Sequence, residues 1–177
     1  MKKLFITLSL FISTLSLFAQ ENPYKEGDTI ENFKLNSALN EEFSLSSYSN
    51  TTGYIIAFIN DKYESSNEYK EKLIGLHDYF LPRGIPLIVI NPDQGGNGAK
   101  GIEKRTGKQA YDFPYLIDQK QKISKRFGVS DTPTAVIVER KHGKNILRYK
   151  TDLDTKSFSN IKSNINNVLN KRSVAMK

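Results

Sequence analysis

Residues 53–90 decide the fold. They open with Gly53-Tyr54-Ile55-Ile56-Ala57-Phe58-Ile59 and close with Ile85-Pro86-Leu87-Ile88-Val89-Ile90. Both ends are unbroken apolar runs, the mark of strands covered on two faces. Between them Tyr69, Leu73, Leu76 and Phe80 recur at i, i+4, i+7 and i+11, one apolar stripe of an α-helix. Ser65 stands three residues before Glu68 as a capping box, and Leu81-Pro82-Arg83-Gly84 stops the helix. Strand, helix and strand at this spacing form a βαβ unit, which predicts two parallel strands.

Outward from this unit the same alternation continues. Upstream, Phe33-Lys34-Leu35 and Phe43-Ser44-Leu45 alternate apolar and polar around Asn36-Ser37-Ala38-Leu39-Asn40, an N-terminal β-hairpin. Downstream, a glycine-rich loop and a weak polar helix are expected over residues 91–111. A short strand over 113–117 and one or two helical turns over 120–127 follow. Thr134 to Val138 and Ile146 to Tyr149 read as a second hairpin across Lys141-His142-Gly143-Lys144. A final helix from Thr155 to Asn170 carries Phe158, Ile161, Ile165 and Leu169 on one face. The predicted fold is α/β, a central mixed sheet flanked by helices, with the last hairpin antiparallel to the βαβ strands.

The start of the chain reads as an address. Lys2 and Lys3 precede a run from Leu4 to Phe18 and then Ala19, the pattern of a secretory signal over residues 1–19. The run is short of the roughly 20 apolar residues that span a bilayer and is diluted by serines and threonines, so no stable membrane anchor is expected. Residues 20–177 then form one domain, exported to the periplasm or beyond the cell. The formal net charge of +7 falls to +5 without Lys2 and Lys3. The remaining basic residues are scattered, among them Lys100, Lys104, Arg105, Lys108, Lys120, Lys122, Lys125 and Arg126, whereas a nucleic-acid surface clusters them with aromatics. No nucleic acid is expected as a partner.

The chain contains no cysteine. Thiol nucleophiles, thiolate metal ligands and disulfides are excluded by composition. His77, expected on the polar side of the first helix, and His142, in a hairpin turn, are the only histidines. No carboxylates converge on either in the sequence, so neither a metal site nor a histidine-based catalytic site is expected. Gly96-Asn97-Gly98-Ala99-Lys100-Gly101 spells a dinucleotide fingerprint, but Pro92 to Gly95 separate it from the preceding strand, where a tight turn is required. A flexible insertion is expected instead, and no cofactor. Glu64, Glu68 and Glu71 line one helix face as surface charges, with Glu68 placed to pair with Lys72.

Taken in order, these segments resemble the thioredoxin-like proteins of the AhpC/TSA, or redoxin, group. The resemblance rests on Gly27-Asp28 with Phe33 to Leu35, Phe43 to Tyr48, Gly53 to Phe58, Tyr69 to Leu73, Ile88 to Pro92, Phe113 to Asp118, and Phe127-Gly128-Val129 through Thr132-Pro133-Thr134. It implies that the strand ending near Phe58 delivers the group's redox cysteines to the start of the following helix. In this chain Asn60, Asp61, Lys62 and Tyr63 stand there, a degenerate active site with no catalytic residue of the family's kind. The resemblance also implies a cis peptide bond at Thr132-Pro133 facing that site, beside a groove where the backbone pairs with an extended peptide. Two functional classes follow. One is a redox-inactive binding or scaffolding module of the cell envelope, with an extended peptide or envelope protein in the groove. The other is a thiol-disulfide oxidoreductase or peroxiredoxin-family enzyme working through a non-cysteine site at Asp61 or Tyr63.

Overall fold

Side chains along the first apolar run alternate between the two faces of a sheet, and both faces are covered. This is seen in a computed structural model that describes residues 22–37, 41–48, 50–60, 67–92, 111–153 and 158–174. Residues 1–19, read above as a secretory signal, lie outside the described residues, as do Asp61 to Tyr63, Ser65 and the glycine-rich stretch Gly96 to Gly101.

The strands are β1 (Thr29–Ile30), β2 (Lys34–Ser37), β3 (Glu42–Ser44), β4 (Gly53–Phe58), β5 (Leu87–Asn91), β6 (Tyr115–Ile117), β7 (Thr134–Lys141) and β8 (Lys144–Asp152). The described helices are α1 (Asn67–Phe80), α2 (Lys122–Arg126) and α3 (Phe158–Val174). All eight strands form one sheet in the order β1-β8-β7-β4-β5-β6-β2-β3. β4, β5 and β6 are parallel and the other pairings are antiparallel, so the sheet is mixed as expected.

Ile55, Ala57 and Ile59 of the first run point to one face, with Leu87, Val89, Ala135 and Ile137 beside them. There they meet Tyr69, Leu73, Leu76 and Phe80 of α1 and Ile161 and Ile165 of α3. Tyr54, Ile56 and Phe58 point to the other face and pack with Ile88, Ile90, Val136, Ile123 and Phe127. This is the period-two geometry of a strand. Each fully buried Ile, Leu or Phe contributes about 1.5–3 kcal/mol by leaving water. In a chain without disulfides, that burial is the main source of stability.

The N-terminal hairpin forms as read, with Leu35 opposite Phe43, although Leu45 turns into a short 3-10 segment, Leu45–Tyr48. The second hairpin is longer than its alternation suggests, because Glu139, Arg140 and Lys141 stay in register with β8. Its turn residues His142 and Gly143 both have positive φ, 50° and 76°. That is the combination a two-residue hairpin turn with right-handed strand twist requires. β1 has no signal in the sequence; its two residues are fixed by pairing with Ile146 and Asn145 of β8.

Candidate functional site

The register between β4 and β7 brings the two halves of the expected site to the same end of the sheet. Phe58, the last residue of β4, is the cross-strand partner of Thr134, the first residue of β7. Asn60 therefore lies two residues beyond that pair on one chain, and Thr132-Pro133 lie immediately before it on the other. Ile59 is buried and continues the sheet, its N–H donating to the carbonyl of Ile90 at 3.0 Å. Asn60 is half-buried. Of the four residues expected at this corner, Asn60 alone falls within the described residues.

The turn on the opposing chain is held firmly. The Thr132-Pro133 bond is cis, as the resemblance implied. Pro133 is buried, and its carbonyl accepts a hydrogen bond from the Leu153 N–H at 2.8 Å. The Thr134 hydroxyl donates to the Asp131 carbonyl at 2.7 Å, closing the turn from the other side. Thr132 is half-buried, and among the described residues nothing hydrogen-bonds to its backbone N–H or C=O. Residues on both sides of Thr132 are anchored, while its own peptide groups are left available at the sheet end. Chemically, such an edge offers backbone hydrogen bonding.

One expectation is corrected. His77 does not sit on an exposed polar side of α1; it is 3% exposed. The reason lies far away in sequence. Tyr111, Asp112 and Phe113 lead into β6 alongside the helix, and the His77 ring packs on Phe113 at 5.2 Å between centres. Burial lowers the His77 pKa below its ordinary value, while Asp78 and Asp112 act in the opposite direction. Among the described residues neither ring nitrogen has a hydrogen-bond partner. The signal that reveals this is the stripe Lys70, Ile74 and His77 taken with the aromatic pair Tyr111 and Phe113. Helical periodicity alone does not contain it.

The remaining expected groups are placed simply. Glu68 pairs with Lys72 along α1. His142 occupies the hairpin turn. Among the described residues no three His, Asp or Glu side chains are arranged to hold a metal ion. A broader groove of about 460 Å³ runs between β2 and the segment after β6. Three of its charged groups, Asp118, Lys34 and Glu42, are already engaged, while Lys120 and Lys122 also line it. Asp118 accepts from the Ser124 N–H and hydroxyl at 2.8 and 2.7 Å, and Lys34 binds Glu42 at 2.8 Å.

This sheet order, with flanking helices and a cis-proline turn at the end of the central strand pair, defines a thioredoxin-like protein. The chain belongs to the AhpC/TSA family, whose model matches residues 27–149. Solved structures agree on the fold. A Chlorobium tepidum protein assigned as a thiol:disulfide interchange protein, DsbE, superposes with a TM-score of 0.66 at 13% identity, over 80% of this chain and 95% of its own. The thiol peroxidase from Chromobacterium violaceum gives 0.57 at 18% identity, over 82% and 88%. The exposed lipoprotein thioredoxin Etrx1 of Streptococcus pneumoniae gives 0.56 at 14% identity, over 69% and 89%. At such identities the likeness speaks for the fold alone. No curated protein matches the chain in sequence. Among the described residues no helix is long and apolar enough to cross a membrane.

Proposed function

We propose that this protein is a redox-inactive binding module of the cell envelope, exported by the signal over residues 1–19, with residues 20–177 forming its working domain. Its groove lies between the corner Asn60, Asp61, Lys62, Tyr63 and the turn Thr132-Pro133, and it receives an extended peptide segment of an envelope protein. The observation that carries the reading is the pairing of Phe58 with Thr134 in a chain with no cysteine. Thiol-disulfide exchange proceeds by attack of a thiolate on a disulfide sulfur. Without sulfur nucleophiles, what is left at this corner is recognition. The Thr132 peptide groups supply strand-like hydrogen bonds to a partner backbone, and Tyr63 supplies an amphipathic contact.

A displayed library of random peptides tests the proposal. Peptides captured by the wild-type protein are expected to lose binding to a Tyr63→Ala/Thr132→Pro variant, the proline removing the Thr132 N–H. Insulin reduction and peroxide consumption are expected to stay at the uncatalysed rate. Binding that is indifferent to both substitutions, or turnover in either assay, refutes it.

A further inference from the structure

Lys70, Ile74, His77 and Asp78 fall at i, i+4, i+7 and i+8 on α1, so they share one flank of the helix. Together with Tyr111, Asp112 and Phe113 they line a cavity of about 200 Å³. His77 lies ten residues from Asn67 at the helix start, about 15 Å along the axis. Neither Asn60 nor Thr132-Pro133 lines the cavity, so it is distinct from that corner.

Its lining has three kinds of surface. The floor contains the His77 imidazole, 3% exposed and, among the described residues, with no hydrogen-bond partner on either nitrogen. A neutral imidazole carries one donor and one acceptor, and a buried polar group left unpaired is costly. The wall is apolar. Phe113 packs against His77 and stacks on Tyr111 with ring centres 4.7 Å apart and planes at 20°. Ile74 adjoins it and is 38% exposed, unusual for a large aliphatic side chain in this protein. The rim is charged: Asp78 on the helix and Asp112 on the covering segment are both exposed. Lys70 stands 5.7 Å above the Tyr111 ring centre. With His77 neutral, two carboxylates outweigh one ammonium.

We propose that this cavity binds a small organic amine. The ammonium lies at the Asp78 and Asp112 carboxylates, the apolar body rests on Ile74 and the Tyr111–Phe113 stack, and a hydroxyl at the far end meets His77 once its ring turns a nitrogen toward the cavity. An anion of the same size meets two carboxylates at the entrance and is disfavoured. A metal ion lacks a convergent ligand set among the described residues. The space exceeds the roughly 30 Å³ that one liquid water occupies, so a single water does not fill it.

The test uses imidazole nitrogen NMR of the labelled full chain, which has two histidines. His142, in the β7–β8 turn, is the internal control. Tyramine is titrated to about 10 mM, with benzoate as the anionic control and phenethylamine as the probe without a hydroxyl. The His77 signals are expected to move and saturate with a Kd between about 10 μM and 1 mM, while His142 stays still. Phenethylamine is expected to bind more weakly, benzoate not at all, and an Asp78→Asn/Asp112→Asn variant at least about tenfold more weakly than wild type. These surface substitutions leave the packed face of α1 intact. Absence of a saturable tyramine shift, as a cavity holding only water gives, overturns the proposal. So does an equal response to benzoate, or an unchanged affinity in the double variant.

Discussion

Phe58 and Thr134 face each other across β4 and β7 at the end of the sheet. The chain leaving Phe58 toward Asn60 and the chain arriving through Pro133 therefore run side by side. Family resemblance places the absent sulfur atoms on the first of these paths. An Asn60→Cys/Tyr63→Cys variant is expected to form an intramolecular disulfide under mild oxidation, detected as loss of both free thiols and of two hydrogens in mass. If the variant remains a dithiol or links only between molecules, the site has been placed on the wrong residues.

Gly53 opens β4 opposite Glu139, and a Cβ added there would lie 2.3 Å from the Val138 carbonyl oxygen. That oxygen is backbone in the middle of the sheet and cannot rotate away. Gly53→Ala is expected to destabilise the fold by about 1–3 kcal/mol. The readout is a lower denaturant midpoint with an unchanged slope. A change in midpoint within error would show that the strands separate more readily than their register suggests.

Burial holds His77 toward its neutral form, so its pKa in the folded chain lies below its unfolded value of about 6.5. The unfolded chain then binds more protons near and below that pH. Stability attributable to His77 is fully present above about 6.5 and is lost as pH falls through that value toward the lowered folded pKa. Lys70, Asp78, Tyr111 and Asp112 surround the ring, and the two carboxylates limit the size of the effect. A His77→Leu variant is expected to show a flatter stability profile between about pH 7 and 5. Parallel profiles for the two proteins would contradict this.

Two ion pairs should differ in worth. Arg148 donates to Glu139 at 2.8 Å, and the Glu139 side chain is 7% exposed. Lys34 and Glu42 pair at the same distance with side chains 61% and 63% exposed. Arg148→Ala removes a charged partner from a buried carboxylate and is expected to cost about 1–3 kcal/mol. Lys34→Ala is expected to cost about 0–1 kcal/mol. Thermal unfolding of both variants at two salt concentrations decides it, since only the exposed pair should respond clearly to screening.

How much of this was legible in the sequence depended on whether the deciding contacts are local. The runs at Gly53 to Ile59 and Ile85 to Ile90 gave themselves away because every side chain is buried, and burial on both faces leaves no polar positions. Tyr69, Leu73, Leu76 and Phe80 were equally plain, since one helical face meets one sheet. β1 was not legible: two residues carry no periodicity, and β8 alone defines them. The polar end of β7 was hidden for a related reason, because Glu139 to Lys141 are held by cross-strand pairing and look like a turn when read singly. His77 was misplaced because a helical projection shows where a residue points but not what later folds over it. The cis turn at Thr132-Pro133 came from family likeness, and no local rule yields it.

The outermost strands carry a last consequence. β1 has 2 residues and β3 has 3, and these form the two margins of the eight-stranded sheet. Strands so brief offer little ladder of their own to a second copy of the protein. Blunt sheet ends of this kind favour a molecule that stays dispersed, a useful property for one whose chain offers no covalent staples.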